Sequence, residues 1–251
     1  MTINEPFTYK ADLNPTVLAA TRATSVYLMS VKVSDYSPSA HSNILVGIGF
    51  VWKHLNVRGG RGLVTDKLGP IFRKHRVEDK FGLAILHRHF DLDPNERLVE
   101  VNSVSTPWPA EEVGRVAGGI AATSWMFSAN QLVPYEYKFV DQISSKEPGD
   151  DPAAFPEFLA ELGTALKEFK VRRYLALTAH PGSEFKGSVE FTMGKANISV
   201  APERVPNIHT LDASFFFDPN YDAAKNGQKC DAGKCDFELQ AEDLAKMEAM
   251  D

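Results

Sequence analysis

The clearest alternation of apolar and polar positions lies between residues 81 and 105. The run FGLAILHRHF places Phe81, Leu83 and Ile85 at every second position, and RLVEVNSVS follows after the turn-rich stretch DLDPNE. Side chains two residues apart share one face of a β-strand. The pattern therefore predicts two extended segments joined as a β-hairpin whose loop contains Pro94.

Two other segments have the spacing of three and four residues that is typical of an amphipathic helix. The first begins at the pair Asn14-Pro15, an N-cap followed by proline at the first helical position, and runs to about Val33. The second is a long helix near 152–170, capped by Asp151. Its apolar face contains Phe155, Phe158, Leu159, Leu162, Leu166 and Phe169.

Short strands are predicted at ATSWMF, YEYKFV, RYLALT, GSVEFTM, ANISV and ASFFFD. Helices followed mostly by strands are typical of an α+β fold, here N-terminal helices packed on an antiparallel or mixed sheet. We expect a single domain over residues 1–218, with a subdivision near 145–150 as the alternative because SSKEPGDDP reads as a linker. Residues 219–251 are expected to form an acidic, partly flexible C-terminal tail.

The composition is that of a soluble globular chain, with 43% hydrophobic and 24% charged residues among 251. The longest apolar run, Ile44 to Trp52, has nine residues, about half of the roughly 20 that a membrane-spanning helix needs. The first residues, MTINEPFTYK, contain no apolar signal core. We therefore expect a cytoplasmic location and no membrane partner.

The net charge of −6 is concentrated at the C-terminus, since Asp218 to Asp251 contains nine acidic and four basic residues. The rest of the chain is nearly neutral, which argues against nucleic acid as a partner. Residues 53–76, however, contain seven Lys or Arg residues and one Asp. In the RGGRG stretch of this segment, Arg58 and Arg61 are candidates for binding a phosphate or carboxylate, because guanidinium groups donate forked hydrogen bonds.

The pair His87-x-His89 is the strongest sign of chemistry. If the preceding strand continues, both imidazoles lie on its apolar face and can converge on one ion. A divalent metal such as Zn, Fe or Mn needs a further protein ligand, and a set of two histidines and one carboxylate leaves positions open for substrate. The candidates for the remaining ligand are Glu96, Glu100, Glu184 and His209.

The order of these residues loosely resembles the metal motif of the cupins, which runs from glycine through His-x-His to glutamate, with a later glycine-proline-histidine motif. The corresponding positions here are Gly82, His87, His89, Glu96, Gly194, Pro202 and His209. The interval from His89 to Glu96 is wider than in that family, and the two halves lie far apart. No family is assigned from this resemblance, and no cupin function is transferred.

Two further groups merit attention. In TAHPGSE, His180 is a candidate general base and Glu184 a candidate for orienting it; the alternative is a surface turn made by Pro181-Gly182. Cys230 and Cys235 are the only cysteines. Free thiols are the default expectation for them, with half of a zinc site or a local disulfide as alternatives.

Two functions from different classes remain open at this point. The first is a metal-dependent enzyme, a hydrolase or an oxygenase, that acts on a small organic molecule at the end of the segment carrying His87 and His89. The second is a non-catalytic binding protein that uses the basic 53–76 segment for an anionic ligand or a protein partner. Association into a homo-oligomer is compatible with either.

Overall fold

The structure, a computed structural model, describes residues 31–45, 47–116, 118–140, 151–205, 208–220 and 227–231. A single mixed sheet of twelve strands dominates this part of the chain. The strands are β1 Lys32–Val33, β2 Phe81–Ile85, β3 Glu96–Val101, β4 Val104–Pro109, β5 Ile120–Ser128, β6 Gln131–Phe139, β7 Leu175–Ala179, β8 Ser188–Met193, β9 Ala196–Val200, β10 Thr210–Asp212, β11 Ser214–Phe215 and β12 Gln228–Asp231.

Eleven strands follow one path across the sheet, in the order β10-β12-β8-β9-β4-β3-β6-β5-β7-β2-β11, and β1 pairs with β6 beside this path. The pairs β12–β8, β3–β6 and β1–β6 are parallel, whereas the other pairs are antiparallel. The two end strands of the path, β10 and β11, are consecutive in the chain and separated only by Ala213. The sheet therefore nearly closes on itself.

Main-chain hydrogen bonds at Ala213 hold this closure. Its amide donates to the carbonyl of Gln228 at 2.9 Å, and its carbonyl accepts from the amide of Ile85 at 2.8 Å. The Ser214 hydroxyl also accepts a hydrogen bond from the Gln228 amide at 3.1 Å. One residue thus joins the beginning of β12 to the end of β2.

The helices are short and cover part of the sheet. They are α1 Pro38–Ser42, α2 Ile48–Val57, α3 Gly60–Gly62, α4 Gly69–His75, α5 Ala110–Val113 and α6 Pro156–Glu168, with a π-helical turn at Leu63–Leu68 and 3₁₀ turns at Pro152–Ala154 and Pro202–Arg204. Within the described ranges, none of the helices combines the length and the apolar character that crossing a bilayer requires.

The main core lies between the helices and one face of the sheet. Leu55 of α2, Phe72 of α4 and Phe158 of α6 are fully or almost fully buried there, against Trp125 and Phe127 of β5. The intervening Met126 packs in a second cluster on the other face, together with Tyr135 and Ala176. This division between the faces follows the two-residue period of a strand.

The predicted α+β fold, with N-terminal helices packed on a sheet and one long helix, is wrong. The dominant element is the nearly closed mixed sheet. The segment near 152–170 forms a 3₁₀ turn followed by α6, which has 13 residues. The predicted helix from Asn14 falls mostly outside the described residues, but its last part forms β1 instead. The spacing of apolar residues predicted a helix near 152–170, and α6 forms within this range. The same spacing did not indicate how much of the chain would join one sheet.

The predicted hairpin between the first two extended segments is also wrong. β2 lies beside β7 and β11, whereas β3 pairs with β4 and β6. The tight turn lies instead between β3 and β4, where Asn102 and Ser103 have φ values of 50° and 66°. Positive φ at both central residues is typical of the two-residue turns that match the twist of a hairpin.

The predicted strands after residue 120 are confirmed as β5, β6, β7, β8, β9 and β11. The division into residues 1–218 and 219–251 stays a prediction. Residues Gln228–Asp231 of the second segment form β12 in the sheet, whereas most of that segment, and residues 141–150 with the suggested boundary, lie outside the described residues.

We expect Gly82→Ala to destabilise the protein, because Phe215 at the end of β11 and the following Phe216 lie very close to this position. A Cβ atom on Gly82 would lie 2.4 Å from Phe216 Cδ1 and 2.5 Å from the carbonyl oxygen of Phe215. Overpacking of this kind costs about 1–3 kcal/mol in the free energy of unfolding, which chemical denaturation measures.

The matched control is Gly62→Ala, at a helical position where the nearest atom to a new Cβ is Asp66 Oδ2 at 3.8 Å. Alanine there is expected to raise the unfolding free energy by about 0.4–1 kcal/mol, because it restricts the unfolded chain. Equal stability of the two variants would contradict the close approach of β11 to Gly82.

Candidate metal centre

His87 and His89 lie just beyond the end of β2. The Leu86 amide donates to the carbonyl of Tyr174, and the Arg88 amide donates to the carbonyl of Leu45, both at 2.9 Å. These bonds keep the segment extended, so that the two imidazoles emerge on the same side, with ring centroids 4.6 Å apart. The predicted convergence of the pair is confirmed.

Glu190 of β8 and Cys230 of β12 complete the cluster. The two residues are register partners in the parallel β8–β12 pair, and partners on neighbouring strands present their side chains on the same face. One ligand atom from each of His87, His89, Glu190 and Cys230 lies within 4.8 Å of all the others, and the group is buried. These four residues are therefore close enough to hold one metal ion.

Hydrogen bonds to the outer ring nitrogens orient both imidazoles. His87 Nδ1 lies 2.8 Å from the carbonyl of Ile85, to which it donates. His89 Nδ1 lies 2.7 Å from the Thr192 hydroxyl, and this hydroxyl donates to Asn197 Oδ1 at 3.1 Å, so it accepts from the ring. In a neutral ring, such a bond keeps the proton on Nδ1 and would leave the Nε2 lone pair for a metal, which is the usual arrangement of metal-ligating histidines.

The inner nitrogens have few partners. His87 Nε2 is buried and has no hydrogen-bond partner among the described residues. His89 Nε2 faces Glu190 Oε2 at 3.5 Å. A buried polar atom without a partner is costly, and a buried carboxylate requires a nearby positive charge. A cation at this point would satisfy both requirements.

The pKa values of the cluster follow from its burial and its charges. Burial lowers the pKa of His87 to about 4, and the neighbouring His89 contributes in the same direction. Burial alone would raise the pKa of Glu190, but the charge and hydrogen bond of His89, with the charge of His87, hold it below its ordinary value. The burial of His87 thus favours its neutral form, which is the form of imidazole that binds metal.

Cys230 departs from the expected free thiol, because it is disulfide-bonded. Its side chain is fully buried. The other cysteine of the sequence, Cys235, lies outside the described residues. Since the thiolate is the metal-binding form of cysteine, the sulfur of Cys230 is not available as a strong ligand in this state, and His87, His89 and Glu190 form the remaining set.

Two cavities adjoin the cluster. The smaller, of about 10 Å³, is lined by His41, His87, His89, Tyr135 and Glu136 among others, and is about the size that one water molecule needs. The larger, of about 710 Å³, has Glu136 and Glu190 in its wall. A volume of this order is within the usual range for small-molecule sites.

Glu136 is a second buried carboxyl group at this place, and it lines both cavities. Burial raises its pKa to about 7, and the negative charge of Glu190 adds to this effect. A carboxyl group with a pKa near neutrality can both donate and accept a proton. Sequence reasoning did not single out Glu136.

The other predicted metal ligands are placed elsewhere. Glu96 accepts from the Asp93 amide at 2.8 Å and lies 3.7 Å from Lys195 Nζ. Glu100 Oε1 lies 3.7 Å from Lys138 Nζ in the wall of the larger cavity. His209 is exposed. None of these three belongs to the four-residue group.

His180 and Glu184, the predicted acid–base pair, differ in environment. His180 is buried in the wall of the larger cavity, where its Nδ1 accepts from the Gly182 amide at 3.1 Å. Burial lowers its pKa, although Asp218 and Asp79 act in the opposite direction. Glu184 is exposed. His180 therefore borders the same space as Glu190, whereas Glu184 is at the surface.

Arg58 and Arg61, the predicted anion-binding residues, make contacts within the chain. Arg58 donates to the His54 carbonyl at 2.9 Å, and its guanidinium lies 4.9 Å from the centre of the Tyr174 ring. Arg61 forms an ion pair with Asp212. The segment between them is only partly a loop, because Gly59 lies in a turn with a φ of 110° and α3 begins at the next residue, Gly60.

Sequence reasoning missed Glu190 and Cys230 as members of the cluster. Glu190 interrupts an otherwise apolar stretch between Val189 and Phe191, which is a signal for a buried charged group.

Comparison of the chain with models of known families, with curated proteins and with solved structures found no match. The functional conclusion therefore rests on the residues and their geometry.

The stability of the protein is expected to fall as the pH decreases from about 6.5 to about 4, in part because of His41. This side chain is only 4% exposed, and burial, with the charge of Arg88, lowers its pKa from 6.5 to about 4. The unfolded chain binds the proton more readily, so the contribution of His41 is complete above pH 6.5 and lost as the pH falls to about 4. The loss amounts to about 3 kcal/mol at most.

The measurement is the free energy of unfolding of the wild type and of His41→Gln across this pH range. The difference in unfolding free energy between the wild type and His41→Gln should shrink as the pH is lowered. The exposed His209→Gln is the matched control for the replacement of a histidine by glutamine. A His41→Gln difference that is independent of pH would contradict the effect of burial.

Proposed function

We propose that this protein binds a divalent metal ion through His87 Nε2, His89 Nε2 and a carboxylate oxygen of Glu190, and that it is a metal-dependent enzyme acting on a small organic molecule. Two observations on His87 carry the proposal. Its buried Nε2 has no hydrogen-bond partner among the described residues, and one of its ring nitrogens lies within 4.8 Å of a ligand atom of His89 and of Glu190.

The donor set favours this interpretation. Two imidazoles and a carboxylate suit Zn, Fe and Mn, and such a set leaves coordination positions open for water or substrate. The bonds of His87 Nδ1 to Ile85 and of His89 Nδ1 to Thr192 supply the outer support that ligating histidines normally have. Which of the three metals binds is left to measurement.

The cavity of about 710 Å³ supports an enzymatic role, because Glu190 lies in its wall. A bound metal would supply Lewis acidity or activate water or dioxygen there, which corresponds to a hydrolase or an oxygenase. Glu136 would transfer protons between the bound molecule and solvent. His180, on the same wall, would serve as a second acid–base or hydrogen-bonding group.

The binding-protein hypothesis based on residues 53–76 remains a proposal of lower rank, because Arg58 and Arg61 already contact groups of the same chain. The cytoplasmic location and the homo-oligomer also stay predictions.

We expect the purified protein to take up a stoichiometric amount of Zn, Fe or Mn, measured by elemental analysis after dialysis. In His87→Ala, His89→Ala and Glu190→Gln, affinity should fall by more than the roughly 10–100-fold that loss of an outer-shell partner costs, because each change removes a ligand atom.

Glu96→Gln, Glu100→Gln and His209→Gln are the matched controls, since these side chains lie outside the cluster. They should retain the metal. Circular dichroism on every variant separates metal loss from unfolding. Metal that persists in all three ligand variants while they remain folded would refute the proposed centre.

The hydrogen bond between His89 Nδ1 and the Thr192 hydroxyl can be tested separately with Thr192→Val. This change removes the hydroxyl that accepts from His89 Nδ1, and metal affinity should fall by about 10–100-fold. Thr192→Ser retains a hydroxyl and should bind nearly as well as the wild type. Equal affinities for the valine and serine variants, measured by metal titration, would show that this bond does not orient His89.

A further inference from the structure

We infer that Cys230 is a redox-controlled fourth ligand of the metal centre, so that one protein has two coordination sets. With the disulfide formed, the set is His87, His89 and Glu190; with the disulfide reduced, the Cys230 thiolate joins them. The inference rests on the proposed function, because it concerns regulation of the same centre.

Strand pairing places the sulfur where a ligand must be. Cys230 and Glu190 are direct partners between β12 and β8, and the Cys230 sulfur lies within 4.8 Å of a ligand atom from each of the other three residues. The side chain is completely buried. Opening the disulfide would therefore leave the sulfur beside the ligands without any movement of the strand.

The redox state decides whether this sulfur can bind. A disulfide sulfur carries no charge, whereas a thiolate is a strong ligand for Zn and for Fe. In the disulfide, the Cys230 sulfur is therefore not available as a fourth ligand, and the metal keeps coordination positions open for water or substrate. Reduction closes the set to four protein ligands, which is typical of structural rather than catalytic zinc sites.

The reductant required is a dithiol. Its thiolate attacks one sulfur of the disulfide, and the other sulfur leaves as a thiolate. Because Cys230 is inaccessible, the attack falls on its partner sulfur, and Cys230 is the leaving group. The second thiol of the reductant then releases the partner cysteine as a thiol. Overall, two electrons and two protons pass from the dithiol, which becomes a disulfide, and metal binding holds Cys230 as the thiolate with release of its proton to solvent.

The two redox states would differ in activity. The oxidised protein retains positions at which the metal can bind water or substrate, and the reduced protein does not. Reduction would therefore make binding tighter and lower turnover, which distinguishes this arrangement from a disulfide that serves only stability.

The test uses Co²⁺ as the probe with the full chain. A cobalt–thiolate bond produces a strong charge-transfer absorption in the near ultraviolet that imidazole and carboxylate ligands do not produce. Oxidised wild-type protein should bind Co²⁺ without this absorption. After treatment with a dithiol and its removal under anaerobic conditions, the absorption should appear, and affinity should rise by about tenfold or more, the scale on which even outer-shell partners act.

Two variants serve as controls. Cys235→Ser removes the other cysteine of the sequence, and should give the charge-transfer absorption without any reductant. Cys230→Ser removes the sulfur, and should bind Co²⁺ without that absorption in both redox conditions. Thiol titration of each sample verifies its redox state.

The outcomes separate this inference from the proposed function. Co²⁺ bound equally in both redox states, with no charge-transfer absorption in reduced wild type or in Cys235→Ser, overturns the role of Cys230 and leaves the three-ligand centre intact. Absence of Co²⁺ binding in folded protein in either state overturns both. Absorption that appears on reduction and is lost in Cys230→Ser supports both.

Discussion

The closure of the sheet at Ala213 is the constraint on which the candidate centre depends. Ala213 bonds to Ile85 at the end of β2 and to Gln228 at the beginning of β12. His87 lies two residues beyond Ile85, and Cys230 lies two residues beyond Gln228. The main-chain bonds of Ala213 therefore help to set the distance between His87 and Cys230, which belong to opposite parts of the strand path.

Burial explains why such a centre is chemically distinctive. Imidazole and carboxylate groups removed from water have few means of satisfying their lone pairs and charge. At the outer nitrogens, the carbonyl of Ile85 and the hydroxyl of Thr192 meet this need. On the inner side, His89 Nε2 faces Glu190, and the buried Nε2 of His87 has no hydrogen-bond partner among the described residues. Hydrogen bonds to the Nδ1 atoms thus orient the two imidazoles, and a ligand atom of each lies close to the Glu190 carboxylate.

Sequence reasoning succeeded where the relevant information is local. The alternation in GSVEFTM and YEYKFV predicted β8 and β6, and the spacing of His87 and His89 predicted that their rings converge. It failed where partners lie far apart in the chain. Nothing near β2 specifies pairing with β7 rather than β3, and Glu190 meets His89 only because about one hundred residues of sheet return the chain to that point. The same distance hid the contribution of Cys230.

The register between β8 and β12 has a consequence for how the centre tolerates change in the chain. Among the described residues, three pairs define this parallel contact, and Cys230 opposite Glu190 is one of them. Because successive side chains alternate between faces, an insertion or deletion of one residue in the connection before β12 that shifted the pairing by one position would turn Cys230 away from Glu190. A shift of two positions would restore the face but place Gln228 or a residue beyond the strand opposite the carboxylate. A change in the connection before β12 that alters this register would therefore separate two members of the candidate cluster while leaving every cluster residue in the sequence.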